Sequence, residues 1–506
     1  MASLKLGSTL SHALIFCEAI FSICIISYDA AMVNNLNAVV PYRQHFKLNS
    51  DMDGLNAAII SAGCIIGAPV VGHLVDRWGR KAGLGLGAMS IIIGVILEAS
   101  ATKVAQLVCG RFLIGFATLI NGSVPPMWIM ELGTPRYKSM LANAVLVSAP
   151  FTAFFTTCIF LGIWDNQSNW AWRGIMLGEA VPSVLALCLL PFVDESPRWL
   201  FHKGRTEEAI EILARLHANG DRQHPLVIAE TQEIMGTLKH EEQHNGGWRE
   251  LISPASNLKR FIIAVLINIC YQIIGANVIL YFSSFLIAGL GIENRGTIIQ
   301  VNMGLLLWNA FCSLAGVFVI DKIGTRKALI FGTAATVVLF AILSSLSYLA
   351  GQYPNNHGYA IGAIAVVGLF LLAVSCSWML LAYTYPPEIL KYSQRSKGVA
   401  ISQAIGYAFS FLNLYTAPIA MEKIGWRYFA INGGWNLAIL ATAIWLFVDT
   451  KGRTLEEMDE IFDGTGHANG VIIGTDIAQS FELDTTGEAG NIVKKKPTLA
   501  STDTTS

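Results

Sequence analysis

Apolar residues fill twelve stretches of this chain, each long enough to cross a bilayer as a helix. A helix that spans the hydrocarbon needs about 20 mainly apolar residues in a row. Six runs lie near 13–33, 55–75, 83–101, 105–130, 140–163 and 173–193, and six more near 260–288, 297–320, 328–350, 359–385, 397–418 and 427–448. Polar residues are sparse inside the runs and crowd the gaps between them. The pattern predicts an all-α membrane protein of two six-helix halves, residues 1–193 and 260–448. The first run is too long for the apolar core of a cleaved leader and lacks a small-residue cleavage pattern, so it is expected to stay as the first span.

The gaps repeat as well as the runs. Gly72-His-Leu-Val-Asp-Arg-Trp-Gly-Arg-Lys81, after the second run, returns in altered form as Asp321-Lys-Ile-Gly-Thr-Arg-Lys327 after the eighth. Glu131 and Lys138 follow the fourth run, and Glu388 and Arg395 follow the tenth with the same spacing. Glu195-Ser-Pro-Arg198 follows the sixth run, and Asp449-Thr-Lys-Gly-Arg453 follows the twelfth. The copies stand about 250 residues apart, the spacing of a six-helix half, and such duplication serves alternating access to a site between the halves. Acids recur with the bases: Asp76, Arg77, Arg80, Glu131, Lys138, Glu195, Arg198, Asp321, Arg326, Glu388 and Arg395. Paired across the halves, they would latch the inner face shut. The alternative is that they only set topology, although the positive-inside rule needs no acids.

Residues 194–259 form a polar linker, and Arg205-Thr-Glu-Glu-Ala-Ile-Glu-Ile-Leu-Ala-Arg-Leu216 within it has the 3.6-residue spacing of an amphipathic helix. The tail, residues 449–506, turns rich in Gly, Thr, Asp and Lys after about 464 and is expected to be disordered there. Basic residues concentrate in the gaps holding Arg77, Arg80 and Lys81, then Lys322, Arg326 and Lys327, then Lys391, Arg395 and Lys397. The alternate gaps hold little beyond Lys103, Arg295 and His357. This bias places both termini and the linker in the cytoplasm. The Asn166-Gln-Ser168 sequon then lies outside, where Asn166 is a glycosylation acceptor.

Asp29 is the sharpest single residue, a carboxylate inside an apolar run. An ionisable residue inside a span is costly and marks function by default. At 1.5 Å per residue, Asp29 lies about 24 Å from the cytoplasmic start of the first run, and Arg111 about 8 Å from the outer start of the fourth. The fourth run points the other way, so in a core about 30 Å thick the two depths agree. A carboxylate beside an arginine can exchange its proton when the pair breaks. A purely structural ion pair is the alternative.

Composition excludes other classes. Only 14% of the 506 residues are charged, against 53% hydrophobic, and mean hydropathy is +0.52. Soluble domains carry about 25% charged residues. A net charge of −1 leaves no broad basic face for nucleic acid. The nine cysteines, among them Cys17, Cys64, Cys109, Cys188, Cys270 and Cys376, fall in apolar runs without CxxC spacing, which predicts neither a disulfide framework nor a metal site. No nucleophile–base set or cofactor motif is present, so an enzyme is not expected and no cofactor is implied.

These motifs carry a resemblance. Tyr28-Asp29, Gly72 to Lys81, Gly110-Arg111-Phe112, Glu131-Leu-Gly-Thr-Pro135, Glu195-Ser-Pro-Arg-Trp-Leu200, Gln272 with Gly275 and Asn277, Ala382 to Gly398, and Asp449-Thr-Lys-Gly-Arg-Thr-Leu-Glu-Glu457 occur in an order that resembles the sugar porter family of the major facilitator superfamily, most of all its fungal lactose-permease-like branch. The resemblance implies that Asp29 and Arg111 couple protons and that Gln272, Asn277 and Asn309 hydrogen-bond a sugar. It implies that Tyr383 packs on the ring and that Tyr281 and Phe282 gate the outer side. Gly275 allows a break in the seventh helix that would free backbone groups toward the cavity. For any one amide the alternative is a helix–helix hydrogen bond. The chain departs from the pattern at Tyr271, Leu146, Trp128, Lys138-Ser139 and Val448-Asp449. Tyr271 and Leu146 stand where polar contacts are usual, which makes the cavity more apolar and admits a disaccharide, a glycoside or a less polar metabolite.

The leading expectation is a proton-coupled symporter of a sugar-like solute, working as a monomer in the plasma membrane. An exporter of a less polar metabolite is the rival, and a non-transporting nutrient sensor a third reading. The short tail after Asp449 speaks against the sensor.

Overall fold

The computed structural model describes residues 8–36, 39–133, 138–243, 251–292, 294–353, 356–391, 395–451, 458, 461 and 462. The side chains of Lys138, Asp321 and Arg395 lie outside the described residues, as does the tail beyond 464. No strand occurs among the described residues. Twelve helical spans follow in order: Ser8–Leu36, Ser50–Trp78, Arg80–Ala99, Val104–Leu132, Lys138–Ile163 and Asn169–Phe192, then Ala255–Gly289, Arg295–Ile323, Thr325–Gln352, His357–Ile389, Arg395–Ile424 and Arg427–Trp445. By length and composition, 11 of them can cross a membrane, the exception being the twelfth. The chain is thus an all-α, multi-pass membrane protein built as two six-helix halves. Phe155, Phe331, Ile361 and Trp445 are exposed on the outside of the bundle, where a bilayer covers them.

The twelfth span buries Asn436 for a reason found in the seventh. The seventh is broken between Ala255–Ile273 and Ala276–Gly289 by Gly275, whose φ of +105° suits glycine. A Cβ there would also lie 2.6 Å from the Phe340 ring. The break frees backbone carbonyls, and buried carbonyls need partners. Asn413 Nδ2 donates to the Gln272 carbonyl (2.8 Å), Trp435 Nε1 to that of Ile273 (2.9 Å) and Asn436 Nδ2 to that of Ile274 (3.2 Å). The expected break is there, but its freed carbonyls are taken by the eleventh and twelfth spans instead of the cavity.

Each half has its own apolar core. Ile23, Cys64, Val75, Leu119 and Trp128 anchor the first, and Ile267, Phe282, Phe340, Phe370 and Trp378 the second. Three linker helices, Pro197–His202, Thr206–His217 and Pro225–Gln243, lie at one end of the bundle, called the linker end below. Leu200, Phe201, Ile212, Leu213 and Leu216 join the apolar core of the first half. The amphipathic face read from the sequence is thus buried under that half. At the opposite, far end, the short helix Val40–Phe46 sets Tyr42 and Phe46 edge-on against Trp172. Asn166 is exposed in the loop between the fifth and sixth spans.

Candidate functional site

The repeated charged turns resolve into helix caps. The second and third spans meet at Gly79 (φ +97°) and the eighth and ninth at Gly324 (φ +93°). Glu195 accepts the backbone N–H groups of Arg80 (2.9 Å) and Lys81 (3.2 Å). Asp449 accepts the N–H (3.1 Å) and hydroxyl (2.8 Å) of Thr325. Each acid thus binds the N-terminus of a span, where unpaired N–H groups and the helix dipole favour an anion. Burial pushes the Glu195 carboxyl up, against the pull of its N–H donors. Burial acts the same way on Asp449, but there the Thr325 hydroxyl and the N–H donors win and hold it below the usual carboxylate range.

Arg80 grips both oxygens of Glu131, Nε at 2.9 Å and Nη2 at 2.8 Å, the two-point geometry of a strong pair. Arg326 donates to the Ile444 carbonyl at 2.6 Å, and the Asp76 carbonyl accepts from Trp199 Nε1 at 3.0 Å. Each of these contacts stays within one half, so the expected pairing across the halves is corrected for them. The backbone donors that claim the acids are invisible in a sequence of side chains. Asp76, Arg77 and Glu388 are exposed at the linker end and Arg198 is half-buried there. Trp128 donates its indole N–H to the Asp194 carbonyl at 3.2 Å, which accounts for an indole at that position.

Asp29 and Arg111 meet as their depths required. Arg111 Nη1 lies 3.3 Å from Asp29 Oδ1, with both side chains almost wholly buried. Two further carboxylates join them. Glu98 Oε1 lies 3.7 Å from Arg111 Nε. Glu179, from the sixth span, is fully buried within electrostatic reach of Asp29, Glu98 and Arg111. The same signal that marked Asp29, a carboxylate inside an apolar run, marked Glu98 and Glu179. Neither stands in a repeated motif. Glu18, one more buried carboxylate of the first span, accepts from Ser22 Oγ at 3.2 Å.

A cavity of about 70 Å³ lies between the halves, smaller than the usual small-molecule site. Its lining includes Ser27 and Ala30 of the first span, on either side of Asp29 in sequence. Asn309 and Tyr271 also line it, and Asn309 accepts from Ser375 Oγ at 2.8 Å. Gln272 and Asn277 do not line it, because the Asn277 amide donates to Gln272 Oε1. Tyr383 stands next to the cavity, its ring 6.2 Å from that of Tyr271 and its hydroxyl bonded to Tyr407. Leu146 packs into the first-half core, and the fifth span reaches the cavity with Pro150 and Ala153. The helix-five assignment is corrected accordingly, since a helix turns about 100° per residue and a small register error selects another face.

Near the far end the halves are tied together. Asn34 of the first span donates to Ser283 Oγ (2.7 Å) and accepts the Ser284 N–H (3.0 Å) of the seventh. Ser283 and Ser284 follow Phe282, whose backbone (φ −131°, ψ 19°) is non-helical. Asn34 thus supplies a hydrogen bond at the kink, next to the expected gate residues Tyr281 and Phe282.

A sequence model of proteins described as "Sugar (and other) transporter" matches residues 14–462. The MFS-type transporter oryC of Aspergillus oryzae is 27% identical over 410 residues, covering 80% of this chain and 76% of that protein. A high-affinity glucose transporter of Kluyveromyces lactis is 26% identical over 459 residues, covering 86% and 82%. Among solved structures, the proton:xylose symporter XylE bound to 6-bromo-6-deoxy-D-glucose superposes with a TM-score of 0.75 at 22% identity, covering 90% of this chain and all of that one. The partially occluded inward-open conformation of XylE from E. coli gives 0.72 at 22% identity, covering 88% and 99%. At this identity the likeness is one of fold.

Proposed function

The chain belongs to the sugar (and other) transporter family, and on that premise we propose that it carries a sugar-like solute together with protons by alternating access. The linker end faces the cytoplasm of a plasma-membrane carrier, and Asn166 faces outside. The observation that carries this reading is the position of Asp29. It touches Arg111 inside the first half, while its sequence neighbours Ser27 and Ala30 line the cavity. The first span therefore has a proton face and a solute face within one turn. Protonation of Asp29 releases Arg111, and a shift of the span reshapes the cavity wall. Asn309 and Tyr271 hold the solute, with Tyr383 beside them. Gln272 and Asn277 reach it only after their mutual bond breaks. Asn34, Tyr281 and Phe282 close the outer gate. Arg80 with Glu131, and Glu195 at its helix terminus, keep the linker end of the first half rigid. Asp76, Arg77, Arg198 and Glu388 stand on the linker-end face along which the halves close.

The test is uptake of labelled D-glucose and D-xylose by transporter-null cells expressing the chain, with and without a protonophore. Uptake above the external concentration that collapses with protonophore is the expected result. Uptake indifferent to protonophore overturns proton coupling.

A further inference from the structure

The cavity is mostly apolar, and its few polar groups lie chiefly on one side. The second half contributes Asn309, Ser375 and Tyr271 together with apolar residues such as Leu280, Leu306 and Leu371. The Ser375 bond to Asn309 Oδ1 fixes the amide plane, so the amide meets a solute already oriented. The first half contributes Ala30, Ala31, Pro150 and Ala153, with Ser27 as its single hydroxyl among the described lining residues. Ala31 and Ala153 form one apolar cluster with Leu306 of the second half. Proline has no N–H to offer and alanine no polar side-chain atom, so this wall is apolar. The charges of the first half do not reach it: the Arg111 side chain has no exposed surface and that of Asp29 only 3%.

A solute hydroxylated on every face, such as a free hexose, would press hydroxyl groups against this wall without partners, and a polar group buried unpaired is disfavoured. A hydrocarbon group there removes apolar surface from water instead. Building on the sugar-like reading above, we infer that the preferred solute is amphipathic: a hydroxylated ring bearing an apolar substituent, as in an aryl or alkyl glycoside. The ring lies on Asn309, Ser375 and Tyr271, and the substituent lies against Ala30, Ala31, Pro150 and Ala153.

The experiment compares labelled D-glucose with labelled phenyl β-D-glucoside in proteoliposomes holding the full chain under an imposed proton gradient. The half-saturation concentration for the phenyl glucoside is expected to be at least tenfold lower than for glucose. Ala153→Leu, which crowds the apolar wall, should cut that preference at least fivefold. Asn309→Ala should weaken both compounds and leave their ratio near the wild-type value. The ratios are read within each variant, so a lower yield of folded protein does not alter them. Equal half-saturation for both compounds, with Ala153→Leu changing both alike, overturns the amphipathic solute and leaves the sugar reading standing. If neither compound is carried, and neither raises the melting temperature of the purified wild-type protein, the sugar reading falls and this inference with it.

Discussion

The two halves share a fold and a charged turn, yet their interiors use different chemistry. Toward the far end the first half buries Asp29, Glu98, Arg111 and Glu179 together. The second half buries amides within its spans: Asn268, Gln272, Asn302, Asn309, Asn413 and Asn436. Its buried Arg260 lies near the linker end and donates to the Ile389 carbonyl at 3.4 Å. A buried charge tolerates few arrangements, because removing its partner costs about 3–5 kcal/mol. Amides are more forgiving and can serve broken helices, as Asn413 and Asn436 do for the seventh span. Duplication thus supplied two equal frames, one with a buried charge cluster and the other with amides that serve a broken helix.

The largest effect should come from removing the cation that the carboxylates share. Arg111→Gln leaves Asp29, Glu98 and Glu179 without it and should cost about 3–5 kcal/mol. The expected readout is loss of the monodisperse detergent-solubilised peak, with Arg111→Lys retaining more of it. An Arg111→Gln protein that elutes and melts like the wild type would remove the charged interior as the defining trait of the first half. Next in size is Asp29→Asn, which keeps the shape and deletes the titratable group. Accumulation against a gradient should vanish while counterflow exchange persists. Concentrative, protonophore-sensitive uptake by Asp29→Asn would shift the proton role to Glu98 or Glu179.

The second half should respond more mildly. Losing a hydrogen bond to a buried amide costs about 0.5–1.5 kcal/mol, and more if a group is left unsatisfied. Asn309→Ala should therefore raise the half-saturation constant several-fold to about tenfold. Asn277→Ala should do less, because Asn277 serves Gln272 and not the cavity. Kinetics that rank the two the other way would mean the solute-bound state breaks the Gln272–Asn277 bond and uses both amides.

How far the sequence reached follows the same division. Span number, the duplicated turn and the Asp29–Arg111 contact were legible because they depend on run length and on a constant rise per residue. Partners were not. Glu195 and Asp449 repeat beside basic residues, yet they bind backbone N–H groups of their own half, which no side-chain pattern encodes. Gln272 and Asn277 flank a break, and helical phase does not carry across it, so two residues that seemed to face a solute face each other. Leu146 failed on rotation alone. Glu98 and Glu179 were legible by the rule that found Asp29 and were passed over for want of a motif.

The smallest expected effect concerns the linker, which packs under the first half. His217, the last residue of Thr206–His217, sits between two acceptors: Glu230 Oε2 at 2.6 Å from Nδ1 and the Leu132 carbonyl at 3.1 Å from Nε2. Only the imidazolium donates from both nitrogens. Burial alone would lower the His217 pKa, but the Glu230 carboxylate and the Leu132 carbonyl outweigh it and hold the ring above its usual value of 6.5. A group whose folded value is raised gives its full stability below the unfolded value and loses it as pH climbs through the folded one. Docking of this helix onto the end of the fourth span should therefore be tight near pH 6 and loosen through the range above 6.5. The ring is almost wholly enclosed, and burial offsets part of the pair's gain, leaving about 1 kcal/mol, so the change is a few-fold at most. Trypsin cleavage after the exposed Arg222 reports it. The wild-type rate divided by that of His217→Gln at the same pH should rise about twofold to fivefold between pH 6 and 8.5. A flat ratio would mean the linker is held by Leu200, Ile212, Leu213 and Leu216 alone, with His217 contributing nothing that titrates.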